Sequence, residues 1–268
     1  MQHLTVAGCT LAWSMIDLTA PWHAASEVIV MHHGIGANQD VFAGWLPALI
    51  HSHRILRFDM RGHGRSKRPS SDVAIDMDRL ADDLFAVMDA AGVARAHLLG
   101  ESIGGTVVLN AALRAPGRVQ SVAVSNGAHL GASIQSVAGW RQMIETEGMA
   151  GWSAFMMRGR FHDGAISAEA WHWFEAQQAT ACPDTVLRML EALVGADLAP
   201  GLPGLRPKLL LMHPDGSPFI PVPVMASLRD LVPDARLHVI GHARHGLPFS
   251  HATACAELLA EFVRGPER

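Results

Sequence analysis

Apolar and polar positions along the first half of the chain follow two alternating periods. Short apolar runs of strand length, Val28–His33, Arg54–Met60, Ala96–Glu101 and Val119–Asn126, are separated by stretches with helical spacing. Ile75–Ala91 is the clearest helix, because Met77, Leu80, Leu84 and Val87 recur at intervals that place them on one buried face. Asp40–Ile50 reads as a further helix, and Leu4–Gly8 with Thr10–Leu18 as a starting hairpin. Strands joined by helical crossovers predict the α/β class, with a mostly parallel, doubly wound sheet.

The alternation stops near residue 130. From there to about residue 205 the pattern is helical throughout and rich in Trp and Met, among them Trp140, Met149, Trp152, Met156 and Met157. Pro200-Gly201-Leu202-Pro203-Gly204 closes this segment as a hinge-like loop. The alternation then resumes with a strand at Lys208–His213, a helix at Val222–Leu231, a strand at Arg236–Ile240 and a last helix at Thr253–Val263. The expected organisation is a core of residues 1–129 and 206–268, with residues 130–205 as a helical cap inserted after the sixth strand. An insertion at that point lies over the carboxyl edge of the sheet. Internal repeats and low-complexity tracts are absent from the sequence.

One short segment carries the chemistry. Gly100-Glu101-Ser102-Ile103-Gly104-Gly105 follows the strand-like Ala96–Leu99 and precedes a helix-prone stretch from Thr106 to Arg114. A Gly-x-Ser-x-Gly turn between strand and helix lifts its serine above the sheet edge, and side chains at either glycine would strike the neighbouring strand or helix. Ser102 is therefore the candidate nucleophile. A serine hydroxyl needs an imidazole to take its proton. Of 16 histidines, His245 has the right place in the chain, after a late strand in Gly241-His242-Ala243-Arg244-His245-Gly246 and just before the last helix. His242 is its nearest competitor. The glycine-containing loop His33-Gly34-Ile35-Gly36, after the third strand, offers backbone donors. Ile35 and Ile103 N–H are the expected oxyanion pair, and losing one such donor costs about 10²–10³ in rate.

Composition narrows the class. The 268 residues are 49% apolar and 17% charged, with a net charge of −4, which fits a globular α/β domain carrying an insertion and argues against a nucleic-acid partner. Three widely spaced cysteines, Cys9, Cys182 and Cys255, form no C-x-x-C pair and read as reduced thiols of a cytoplasmic protein without a structural metal. The N-terminal residues lack a signal-peptide pattern, and no apolar run reaches the roughly 18 residues of a membrane span. No cofactor is expected, and the partner is a small-molecule substrate. The oligomeric state is not legible.

The loop at His33–Gly36, the segment Asp59-Met60-Arg61-Gly62-His63-Gly64-Arg65-Ser66, the elbow and the late His245 together resemble the α/β-hydrolase superfamily over nearly the whole chain. In relatives the Asp-x-Arg-Gly-His-Gly-x-Ser segment shapes a loop, which makes His63 structural. Ser125-Asn126-Gly127-Ala128-His129-Leu130-Gly131 is similar to the 3-oxoadipate enol-lactonase branch. A serine at the elbow separates the chain from haloalkane dehalogenases and epoxide hydrolases, which place Asp there.

The triad acid departs from the family pattern. Relatives carry an Asp after the seventh strand, four residues before a proline, and that position here is Ser217. Asp215, two residues earlier, is the candidate acid if the loop is rearranged. It also suits the turn Pro214-Asp215-Gly216 on its own account. Asn126, after the sixth strand, is a third candidate partner for the imidazole. Gly34, Trp140, Met156 and Arg158 are expected to contact substrate; Arg158 with Arg160 could grip a carboxylate, or face solvent. Glu101 is expected to be structural, pointing away from Ser102. Asp40 reads as a helix cap or a rim residue. The expected activity is hydrolysis of an ester or lactone of a small, partly apolar molecule through an acyl-enzyme on Ser102. C–C bond or amide hydrolysis on the same elbow is the alternative, and a ligand-binding hydrolase fold with little or no catalysis is the alternative of another class.

Overall fold

The computed structural model describes residues 1–22 and 26–264. Strands β1 (Gln2–Val6), β2 (Cys9–Ile16), β3 (Val28–His32), β4 (Arg54–Phe58), β5 (Ala96–Glu101), β6 (Val119–Ser125), β7 (Lys208–Pro214) and β8 (Arg236–Ile240) form one eight-stranded sheet in the order β1-β2-β4-β3-β5-β6-β7-β8. The first two strands are antiparallel to their neighbours and the other six run parallel. This is the α/β architecture that the alternating pattern predicts. The chain leaves β3 to one side for β4, then crosses back to β5 on the other, so a switch point opens at the carboxyl ends of β3 and β5. Such a crevice is where ligands bind in open α/β sheets.

The strand alternation decides what each face buries. Val30, Leu56, Leu98, Val122 and Leu211 pack toward helices α2 (Met77–Ala90), α3 (Ile103–Arg114) and α7 (Val222–Leu231). Ile29, Ile55, Leu99, Ala123 and Leu210 pack on the other side, toward the short α1 (Leu46–Leu49) and the C-terminal α9 (Ala252–Arg264). In α2 the buried Met77, Leu80, Ala81, Leu84, Val87 and Met88 keep the helical spacing, and the Asp76 carboxylate caps the first turn by accepting from Arg79 N–H. The expected helix over 40–50 is shorter. Gln39–Trp45 is a 3₁₀ turn capped by Asn38, and the α-helical turn begins only at Leu46, with Pro47 in its first positions. Asp40 caps nothing; its carboxylate pairs with Arg65 at 2.7 Å.

Between β6 and β7 the chain forms α4 (Trp140–Arg160), α5 (Ala168–Ala179) and α6 (Pro183–Val194). Gly148, at φ 69° and ψ −175°, breaks α4 into two pieces, a backbone state that glycine adopts without cost. The short α8 (Leu247–Ser250) follows β8. No helix among the described residues is long and apolar enough to cross a membrane.

Candidate active site

Ser102 sits between β5 and α3 with φ 55° and ψ −123°, a strained conformation for a residue with a Cβ. The glycines around it leave no room for side chains. A Cβ on Gly100 would fall 2.1 Å from the carbonyl oxygen of Gly104, and one on Gly104 would fall 2.3 Å from that of His32. The strained turn is held by the ladder beside it, since Ser102 N–H donates to Ser125 O at 2.9 Å. Register places His32 beside Gly100, which brings the loop after β3 against the elbow. Ile35 and Ser102 therefore face one cavity. Ile103 opens α3, so its N–H is one of the first-turn amides with no helical acceptor.

His245 lies in the loop after β8, and its Nε2 is 3.2 Å from Ser102 Oγ. Three contacts fix the ring and its backbone. Asn126 Nδ2 donates to His245 O at 2.6 Å, Gly246 N–H donates to Arg160 O at 2.8 Å, and the Phe219 ring meets the imidazole edge-on with centroids 4.9 Å apart. Burial drives the imidazole pKa well below its ordinary value, and the nearby Arg160 and His213 push the same way. His245 is thus neutral at physiological pH. His242, its competitor in sequence, has a left-handed backbone at φ 56° and stacks on His162.

The structure does not bring Asp215 to His245. Its carboxylate accepts from His242 N–H at 2.9 Å and Ala243 N–H at 3.0 Å, and those two bonds depress its pKa. The side chain is exposed and fastens the loop between β8 and His245 instead of touching the ring. His245 Nδ1 meets Ser217 Oγ at 3.2 Å. The expectation for Asp215 is therefore corrected: the two candidates are only two positions apart, but the turn at Gly216 directs the aspartate outward. Asn126 reaches the backbone carbonyl of His245 and not the ring. Asp215→Asn is expected to leave turnover within about twofold and to lower stability by about 1 kcal/mol or less, as exposed hydrogen bonds do. Parallel kinetics and urea titration of that variant check this, and a loss of turnover larger than that of Asn126→Ala would contradict it.

A narrow, mostly apolar pocket opens above Ser102. Trp140, Met156, Leu190 and Leu193 from the inserted helices form much of its wall, with Phe219 and Ile220 opposite. Two of the expected substrate contacts, Trp140 and Met156, thus line it. Arg158 does not. It borders a separate surface depression, where Arg244 Nη1 donates to its carbonyl. Arg160 faces the cavity instead. Gly34 packs beneath the site: a Cβ there would stand 2.2 Å from Glu101 Oε2 and 2.9 Å from Ser102 Cβ. Close backbone approach is the reason for glycine at this position.

Sequence reasoning missed the pairing of Glu101 with Arg160. Both are buried, with Arg160 Nη1 3.9 Å from Glu101 Oε1. Burial raises the Glu101 pKa, which Arg160 and the Gly34 amide oppose. Arg160 also donates through Nε to Gln178 Oε1 at 2.7 Å and through Nη2 to Ile35 O at 2.8 Å, and Gln177 Nε2 donates to Gly36 O at 3.0 Å. The inserted helices therefore hold two consecutive carbonyls of the loop beside the elbow. No sequence pattern marks this grip, because its partners lie 125 and 141 positions apart.

A strained serine elbow with an imidazole at hydrogen-bond reach, on a six-strand parallel core, defines the class. The chain has the α/β-hydrolase fold. The model of the α/β hydrolase fold family matches residues 27–150. The 2-hydroxymuconate semialdehyde hydrolase of Pseudomonas sp. strain CF600 is 28% identical over 88% of this chain and 86% of its own length. A putative carbamate hydrolase of Caulobacter sp. strain K31 is 24% identical over 89% and 91%. Among solved structures, the enol-lactonase from Burkholderia xenovorans LB400 superimposes with a TM-score of 0.87 at 24% identity, covering 98% of this chain and all of its own, a likeness of fold.

Proposed function

We propose that the protein is a serine hydrolase that cleaves an ester or lactone of a small, partly apolar substrate. Ser102 Oγ attacks the carbonyl carbon while its proton passes to His245 Nε2, and the carbonyl electron pair moves onto the oxygen between the Ile35 and Ile103 amides. Collapse of that intermediate sends the proton from Nε2 to the leaving alkoxide, and water then releases the acyl group by the same steps. The helical segment 130–205 acts as a cap whose Trp140 and Met156 select apolar groups. The observation that carries the reading is the 3.2 Å approach of His245 Nε2 to Ser102 Oγ at the floor of an apolar-walled cavity.

Hydrolysis of a C–C bond is the second reading, favoured by the likeness to a 2-hydroxymuconate semialdehyde hydrolase over most of both chains. A fluorophosphonate probe tests the shared step. Labelling at neutral pH is expected on Ser102 and absent in Ser102→Ala; no adduct on the wild-type chain would favour a ligand-binding fold over an enzyme. Turnover of short p-nitrophenyl esters against a vinylogous diketone then separates the two bond classes.

A further inference from the structure

We propose that Ser217 is a positioning residue that gives its hydroxyl hydrogen to His245 Nδ1 and so holds the ring in the tautomer with its proton on Nε2. The inference rests on Ser102 and His245 as the reacting pair. A serine hydroxyl has one hydrogen and two lone pairs. Ser217 Oγ has three neighbours: Phe219 N–H at 3.3 Å, Ile220 N–H at 3.2 Å and His245 Nδ1 at 3.2 Å. Backbone amides only donate, so they occupy both lone pairs. The single hydrogen is left for Nδ1, which must accept it.

A neutral imidazole that accepts at Nδ1 carries its proton on Nε2. That nitrogen faces Ser102 Oγ at 3.2 Å. In the resting site His245 then donates to the nucleophile instead of accepting from it. A carboxylate at position 217 would impose the opposite arrangement, because it accepts from both amides and from Nδ1–H together. The Asp215 carboxylate is turned to the His242 and Ala243 amides, and Ser217 Oγ stands at Nδ1 in its place. His213, whose Nε2 bonds Ile220 O at 2.9 Å, and Arg160 are the other titratable or charged side chains whose fields reach it.

Attack by Ser102 therefore requires a tautomer change first. The proton must move to Nδ1, and Ser217 Oγ must release one amide to accept it. The Ser102 proton can then enter the Nε2 lone pair as the O–C bond forms. A serine-protease triad whose aspartate is replaced by its amide loses about 10⁴ in turnover for a comparable reason, the wrong tautomer. Ser217→Asp is accordingly expected to raise turnover of a short p-nitrophenyl ester by about tenfold or more. The wild-type chain supplies a readout independent of folding variants. With ¹⁵N-histidine labelling and His245→Asn to identify the ring signals, the nitrogen shifts are expected to show Nδ1 unprotonated and Nε2 protonated at pH 7. Nδ1 protonated in the resting wild-type protein would overturn the proposal, and so would a well-folded Ser217→Asp with unchanged or lower turnover. Absence of a phosphonate adduct on Ser102 in both forms would instead sink the hydrolase reading and leave the tautomer result standing.

Discussion

Between pH 6.5 and pH 4 the protein is expected to lose most of its folding stability and to unfold cooperatively. Burial pushes His32, His63 and His213 from 6.5 down to about 4. The unfolded chain takes up these protons near pH 6.5, whereas the folded chain does so only near pH 4. Falling pH therefore favours the unfolded state through that window, and the loss levels off below it. Each imidazole contributes up to about 3 kcal/mol, together on the order of 10 kcal/mol, which is comparable to the whole stability of an ordinary domain. His33 and His245, also lowered by burial, act in the same sense. Asp59, Asp83 and Glu101 have raised pKa values, so their protonation in the folded state softens the loss. Urea titrations followed by tryptophan fluorescence at each pH measure the slope. Stability unchanged from pH 7 to pH 4 would contradict the expectation. His63→Gln should flatten the slope by about 1.4 kcal/mol per pH unit, the contribution of one proton.

Arg160→Met is expected to destabilise the protein by about 3–5 kcal/mol, the cost of leaving a buried charge without its partner. Arg160 is the ion-pair partner of Glu101 among the described residues, and both side chains are almost wholly buried. Removing it strands the carboxylate beneath Gly34, frees the carbonyl of Ile35 and leaves Gln178 Oε1 without its donor. Adding Glu101→Gln to Arg160→Met should recover a large part of the loss, because replacing both charges removes the desolvation penalty that breaking one exposes. The double-mutant cycle in urea is the measurement. A single variant within 1 kcal/mol of wild type would show that the pair does not hold the loop. Turnover is expected to stay depressed in the double variant even where stability returns, since Ile35 O remains unheld in both.

Much of this molecule is determined by the order of residues alone. Short apolar runs interrupted by helical spacing dictate strands and crossovers, and the helices over 77–90 and 222–231 follow from their apolar spacing. The elbow is equally local. Gly100, Ser102 and Gly104 specify a turn that only those backbones can make, and register then sets the loop at His33–Gly36 beside it. Even the absence of a carboxylate at position 217 is readable, as a mismatch to a spacing.

What the sequence could not show is which way side chains on one element turn. Arg158 and Arg160 stand two residues apart on α4, and successive helical residues turn by about 100°, so the two point to nearly opposite sides. Packing of α4 against α5 and against the loop after β3 selected Arg160 for the cavity and turned Arg158 to the surface. Asp215 and Ser217 are likewise two residues apart, and the bonds to His242 and Ala243 decided between them. Glu101 follows the same logic, because its partner comes from a helix inserted after the sixth strand. Local sequence sets backbone shape through sterics and periodicity. Which buried polar group meets which is decided only when distant segments close on one another and each desolvated donor or acceptor must find a partner.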